Sequence, residues 1–370
     1  DIPKTTALNI MGMSLRTLDG ILSGEQKMLD YTQLIKLANF IGLDLERTAT
    51  LYLEKVNEVH NVDKDINQLN EKVKFVNEHF NLAELKKVGL IKSLTDYEDI
   101  INSICKYFGL TNIFDYSEPD MNIAFSSGKR AKENCSVKNW MYLAEQTCIE
   151  LRNPNPYNRE KLIDYFSQIR WQSMDVENGL VSVIKQLFQL GITVVFISSF
   201  PSLHIRGATF VVNDKPCIAL TDYVGFYPTF WFALVHELYH VLFDWDEILL
   251  SNYHISQEDQ KSMFSQSQSE IDADNFAREY LFSREKTQEA SEFINNQEFI
   301  RQYAISNNVD PSFVYVFYAF DAPKTDKYAW GRAKKLNPDV EKLKSKLEHK
   351  FGANSSFGEH IKKMRNKIYN

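Results

Sequence analysis

The sequence predicts an α+β protein, mostly helical, whose few strands form one small sheet packed on a single buried helix. Three observations lead there. Apolar residues recur at steps of three and four over much of the chain, the spacing of amphipathic helices. Runs rich in β-branched residues are confined to the stretch 192–220. Residues 230–243 are apolar nearly all round, as a helix must be when other elements enclose it. In order, these elements make a helical domain at 1–54, a helical connector or lobe at 55–120, a larger domain at 121–321 and a basic helical tail at 322–370.

A chain of 370 residues exceeds what one compact core usually covers. With 44% hydrophobic and 25% charged residues it has the balance of a folded globular protein, which excludes a disordered chain. The longest apolar runs, 192–197 and 230–235, fall far short of the roughly 20 residues that span a bilayer. No signal-peptide pattern is present, and the four cysteines, Cys105, Cys135, Cys148 and Cys217, lack metal-type or redox-type pairing. A cytoplasmic protein with free thiols and no membrane contact is expected. Net charge is −7, yet residues 322–370 carry 13 Lys and Arg against 5 Asp and Glu. Such a tail is either a solvated helical surface or a draw for nucleic acid or an acidic partner.

In the first domain, Ser14 is the N-cap expected of a helix through Leu15, Leu18, Ile21 and Leu22 that stops near Gly24. A further helix runs through Leu34, Ile35, Leu37, Ala38 and Ile41 to Gly42, and Ala7, Leu8 and Ile10 precede both. With the turn Gly12-Met13-Ser14, this stretch resembles the helix-turn-helix of phage repressors. The resemblance implies a recognition helix at 14–22, with Ser14, Arg16 and Thr17 as its DNA-binding residues. Residues 1–50, with 5 basic against 6 acidic, do not supply the phosphate neutralisation on which DNA binding draws. Two partners therefore stay open for this domain: DNA, with the basic tail lending charge, or a docked protein.

From 55 to 116 Gly and Pro are few, and Ile66, Leu69, Val73 and Val76 keep helical steps. Asn153-Pro154-Asn155-Pro156 breaks the chain before helices at 159–170 and 179–190. Residues 192–197 read as a buried strand. Two more, 207–212 and 217–220, flank the turn Asn213-Asp214-Lys215-Pro216. No internal repeat is apparent.

Pro228 suits the first turn of the next helix, which is expected to reach Phe243. Between Phe230 and Phe243 only His236, Glu237, Tyr239 and His240 are polar. Burying two imidazoles and a carboxylate without partners is costly, so they need a reason to be there. Metal binding supplies one. His236 and His240 stand one helical turn apart and direct ring nitrogens at one ion, while Glu237, on the same side, holds a water and takes its proton. The pattern His-Glu-x-x-His is that of zinc peptidases, in which Zn2+ acidifies the water and polarises the peptide carbonyl. His60, His79, His254, His349 and His360 have no comparable company and are expected at the surface.

A catalytic zinc takes a third protein ligand and keeps a fourth position open. Downstream, Ala273, Phe276, Ala277, Tyr280 and Leu281 mark the inner face of a helix with Glu270 on its edge. Glu270 is the candidate ligand, and Asp274, one turn on, is a carboxylate that orients a ligand histidine. Ser267 and Glu270 also fit a capping box, in which Glu270 bonds only backbone. Asp244, one turn past His240, and His254 are rival ligands.

A strand, a hairpin ending in Pro216-Cys217-Ile218-Ala219-Leu220, an aromatic lead-in and the His-Glu-x-x-His helix come before Glu270-x-x-Ala273-Asp274-x-Phe276-Ala277. Over residues 191–282 this order resembles the ImmA/IrrE family of bacterial zinc metallopeptidases. The resemblance favours Glu270 as third ligand and implies a zincin-like domain beside the helix-turn-helix. It also implies an endopeptidase that cleaves a repressor or antitoxin-like regulator in a stress, mobile-element or phage-defence switch. Tyr239 departs from the family, many members of which have Gly there. Residues 208–212 are candidates for pairing a substrate along a sheet edge, and Tyr223, Tyr227, Tyr239 and His204 for stabilising the oxyanion. The competing function is a DNA-binding regulator or antitoxin that keeps the metal fold as scaffold or sensor, for which Glu237 has no use. The segment 55–116 or the basic tail is expected to gate access, and homodimerisation stays open.

Overall fold

The computed structural model describes residues 2–26, 29–60, 62–119, 129–198, 200–257, 268–347 and 356–369. Its contacts fall into two units, Asp1–Val76 and Asn77–Asn370. The first contains helices α1 (Lys4–Met11), α2 (Leu15–Ser23), α3 (Tyr31–Ile41), α4 (Leu45–His60) and most of α5 (Val62–His79). Ser14 caps α2, its hydroxyl oxygen accepting from the Thr17 N–H at 3.1 Å. Gly24 ends α2 with φ of 78°, and a Cβ there would stand 2.6 Å from Lys55 O, so backbone conformation and space both require glycine. Ala7, Met11, Met13, Leu18, Ile21 and Leu37 form the core. Ile10, Leu15, Leu22, Ile35 and Ile41 are exposed. Short helices in a small unit bury one stripe each, and the apolar residues beside that stripe face outward.

The second unit begins with α6 (Leu82–Lys87), α7 (Tyr97–Phe108), α8 (Lys129–Leu151), α9 (Arg159–Ile169) and α10 (Gly179–Gln189). Then come β1 (Thr193–Phe196), β2 (Ile205–Val212), β3 (Lys215–Leu220), α11 (Tyr227–Phe243), α12 (Trp245–Ser251), β4 (Tyr253–Gln257) and α13 (Gln268–Phe282). It closes with α14 (Arg284–Ser291), α15 (Gln297–Ser306), α16 (Pro311–Asp321), α17 (Ala329–Leu336), α18 (Glu341–Leu347) and α19 (Phe357–Met364). The chain is therefore an α+β protein, mostly helical, with one four-stranded mixed sheet.

The strands lie in the order β1-β3-β2-β4, with β1 parallel to β3 and the other pairs antiparallel. Asn213 and Asp214 take φ of 51° and 58° and make a two-residue turn, so the strands run right up to it. Lys215 and Pro216, expected in the turn, belong to β3. Pro216 is tolerated because its partner Val211 turns its N–H to Asn252 O at 3.1 Å, and β1 pairs with β3 only from Cys217 onward. The short strand β4, which the sequence did not reveal, pairs Phe210 with Tyr253, Thr209 with His254 and Ala208 with Ile255. Residues 208–212, proposed as a substrate-pairing edge, thus lie in an inner strand. Among the described residues the outer strands are β1 and β4.

Helix α11 packs against β2, β3, α13 and α16, and Trp231, Leu234, Val235, Leu238 and Val241 are fully buried there. The carboxy-terminal segment is built into the same unit. Leu343, Leu347, Ile361, Met364 and Ile368 are buried, and the Tyr369 hydroxyl donates to Val194 O of β1. Lys342 and Lys344 pair with Glu177 at 2.6 Å and Asp222 at 3.2 Å, so part of the basic surplus is matched within the unit. His360, expected at the surface, is buried with α19, whereas His349 lies outside the described residues. None of the four cysteines is in a disulfide, and among the described residues no helix is long and apolar enough to cross a membrane.

Candidate metal centre

Pro228 starts α11 where its missing N–H costs nothing, and the helix carries His236, Glu237 and His240 into the interior. One turn of separation sets the two Nε2 atoms 3.2 Å apart. Helix α13 packs on α11 and brings Glu270, with Oε1 3.3 Å from His240 Nε2 and Oε2 3.5 Å from His236 Nε2. The ligand atoms of these three residues all lie within 4.8 Å of one another. Metal bonds of about 2.0–2.1 Å in a tetrahedral site place neighbouring ligand atoms about 3.3 Å apart, so the spacing fits a metal ion. Facing lone pairs repel, and the two nitrogens therefore need a cation or a proton between them.

Each ligand is oriented by a further group. His236 Nδ1 lies 3.0 Å from Asp274 Oδ1, and His240 Nδ1 lies 2.7 Å from Asp244 Oδ2. An ionised carboxylate only accepts, so both Nδ1 atoms donate and both Nε2 atoms are presented to the centre. Asp274, read from the sequence as a carboxylate for one of the histidines, lies beside His236. Asp244, weighed as a ligand, reaches the outer nitrogen of His240 instead, and the Ser269 hydroxyl donates to it. His254, weighed as a ligand and otherwise expected at the surface, extends from β4 and donates from Nε2 to Glu270 Oε1 at 2.5 Å. Its ring lies 3.9 Å from that of His240. The Glu270 carboxylate faces three imidazoles; Ser267, its partner in the capping-box alternative, lies outside the described residues. Replacing Asp244 or His254 by Ala is expected to lower metal affinity about 10- to 100-fold, read by competition with a chelator. Unchanged affinity would remove these residues from the orienting role.

The electrostatics favour positive charge at the centre. Burial pulls the His236 pKa down, but hydrogen bonds to Asp274 and Glu270, with the Glu237 charge, raise it to about 10. Burial pushes Glu270 up, and the surrounding imidazoles outweigh it and hold the carboxyl far below the usual range. A metal ion and protons compete for this field.

Glu237 is fully buried. The Thr209 hydroxyl of β2 donates to its Oε2 at 2.7 Å, whereas Oε1 has no hydrogen-bond partner. Leaving such an atom unsatisfied costs about 1–3 kcal/mol, so Oε1 is a site for an incoming proton donor. A Cβ at Gly207 would stand 2.6 Å from that Oε1 and 2.9 Å from Cγ. Strand β2 thus supports Glu237 twice, by the Thr209 hydroxyl and by the space at Gly207. Gly207, Thr209 and the orienting roles of Asp244 and His254 are not evident in the sequence. A glycine inside a β-branched strand, the mark of a close approach, was the available signal for the first.

No family model, curated protein or solved structure matches this chain. The convergence of His236, His240 and Glu270, with Glu237 beside them, carries the functional reading.

The remaining candidates separate clearly. Tyr227 is fully buried and its hydroxyl donates to Ser173 O at 2.7 Å, which removes it as an oxyanion donor. His204 and Tyr223 stack on one another with centroids 5.2 Å apart. Tyr239 packs its ring on Phe243 and Phe276, at 4.7 and 5.5 Å, and stands nearly perpendicular to the His240 ring. In the first unit the Ser14 and Thr17 hydroxyls lie 2.7 Å apart at the cap of α2, and Arg16 is exposed.

Proposed function

We propose that the protein is a zinc-dependent endopeptidase, of the ImmA/IrrE kind that its motifs resemble, which cleaves a specific repressor or antitoxin-like regulator. The observation that carries this reading is the three-donor centre beside a buried carboxylate oxygen, Glu237 Oε1, that lacks a partner. Two imidazoles and a carboxylate at tetrahedral spacing suit zinc among the common metals. When bound, Zn2+ supplies a Lewis acid for the peptide carbonyl and brings the pKa of a water to about 7. Glu237 accepts the proton of the attacking water at Oε1 and delivers it to the leaving amine. Thr209 holds the other carboxylate oxygen, so the base meets the water in one orientation. Asp274, Asp244 and His254 hold the ligand side chains against rotation.

The test is incubation of the zinc-loaded protein with the repressor or antitoxin-like protein encoded beside it. Wild type is expected to produce discrete fragments and Glu237→Gln none. Equal cleavage by both, or none by wild type with metal and partner present, would sink the proposal. Gly207→Ala supplies a further expectation. The added methyl displaces the Glu237 carboxylate, and a shift of that size lowers turnover about 100-fold while zinc content stays unchanged. Turnover within about twofold of wild type would show that the close approach at Gly207 is dispensable.

A further inference from the structure

A cavity of about 200 Å³ opens beside the metal centre. A benzene ring already fits a dry cavity of roughly 150 Å³. Phe232 and Ala233, about one turn before His236 on α11, line it together with Phe317 and Phe320 of α16. Arg206 and Asp274 complete the part nearest the metal ligands. Asp274 is the carboxylate that holds His236 Nδ1 at 3.0 Å, and the Phe232 ring lies 6.2 Å from the His236 ring. Cavity and metal centre therefore share a wall.

The charges around this cavity are matched among themselves. Arg278 reaches Asp321 at 2.5 Å and lies over the Phe317 ring at 4.4 Å. The Arg206 guanidinium stands 3.7 Å from Asp274 and lies over the Phe232 ring at 5.6 Å. Arg284 pairs with Glu279 at 3.0 Å. Arg284–Glu279 lies at the exposed rim, where such a pair contributes little, but a charged guest in the inner part would have to break the Arg278–Asp321 or the Arg206–Asp274 pair or enter without a partner, and both are costly in a half-enclosed space. An uncharged ring or branched aliphatic chain covers the aromatic wall and disturbs none of them.

The geometry points to a substrate subsite: the cavity takes a bulky apolar side chain, of phenylalanine or leucine size, from the residue flanking the scissile bond. This rests on the peptidase reading and adds the kind of residue that the substrate presents.

The test uses the intact, zinc-loaded protein and two hydroxamic acids that differ only in bearing a benzyl or a methyl group beside the metal-binding head. Calorimetric titration reads their binding without turnover. Wild type is expected to bind the benzyl compound at least about tenfold more tightly, as burial of a ring implies. Ala233→Leu fills the cavity from α11, and Val224→Trp fills it from the loop before that helix, so one variant still reports if the other misfolds. In either, the preference is expected to fall to about twofold or less with zinc content unchanged. Equal affinities in wild type, or a preference that survives both substitutions, would overturn the subsite. A benzyl preference in wild type and in Glu237→Gln, with no protein substrate cleaved by wild type, would overturn the peptidase reading and leave the cavity as a binding site. Failure of both compounds to bind the zinc-loaded protein would overturn both.

Discussion

Replacing Glu237 by Gln is expected to lower peptide cleavage by a factor of about 10²–10⁴ while the protein keeps its full zinc content. The substitution preserves shape, and the amide oxygen still accepts from the Thr209 hydroxyl that lies 2.7 Å from Oε2. It removes the ability to take a proton at the buried oxygen that has no other partner. Glu237 is not one of the three converging ligand residues, so chemistry and metal binding separate in this variant. Measuring turnover and zinc on the same preparation checks the claim. A variant that cleaves as fast as wild type would transfer the base to another residue, and one that loses its zinc would show that Glu237 supports the site structurally.

The second large effect is on stability. Zinc that binds only the folded chain stabilises it by about 2.7 kcal/mol at a hundred times the dissociation constant, a rise of several degrees in melting temperature for a unit of this size. Glu270→Ala is expected to abolish that rise. Glu270 brings carboxylate oxygens to within 3.3 and 3.5 Å of the His240 and His236 Nε2 atoms and also receives His254, so its removal takes away a ligand and the negative charge that gathers three imidazoles. Melting curves with and without added zinc, for wild type and variant, give the answer. An equal zinc-dependent shift in both would exclude Glu270 from the centre.

Much of this was legible in the sequence because it rests on local periodicity. The helix 227–243 followed from Pro228 and from an apolar run broken only by the site residues, and the hairpin followed from Asn213-Asp214-Lys215-Pro216 between β-branched runs, although only its first two residues form the turn. Asp274 was read as a carboxylate for one of the two histidines because it stands one turn on from Glu270 on the same face, and the structure places it 3.0 Å from His236 Nδ1. What stayed hidden is non-local. Tyr253–Gln257 is five residues with no pronounced alternation, and only pairing with β2 makes it a strand. That pairing carries His254 to Glu270 and turns 208–212 from an edge into an inner strand. Gly207 looked like the start of a strand, and its purpose shows only when the Glu237 carboxylate lies against it. Asp244 was read as a competing ligand because spacing gives the turn of the helix but not which nitrogen of His240 faces it.

The most direct test of the metal centre is elemental analysis of protein purified without chelator, for wild type, Glu237→Gln and His240→Ala. About one zinc per chain is expected in the first two and none in the third, since His240 Nε2 is one of three converging donors. Absence of stoichiometric metal from wild type under every metal supplied, or zinc retained in full by His240→Ala, would contradict the centre and the peptidase built on it.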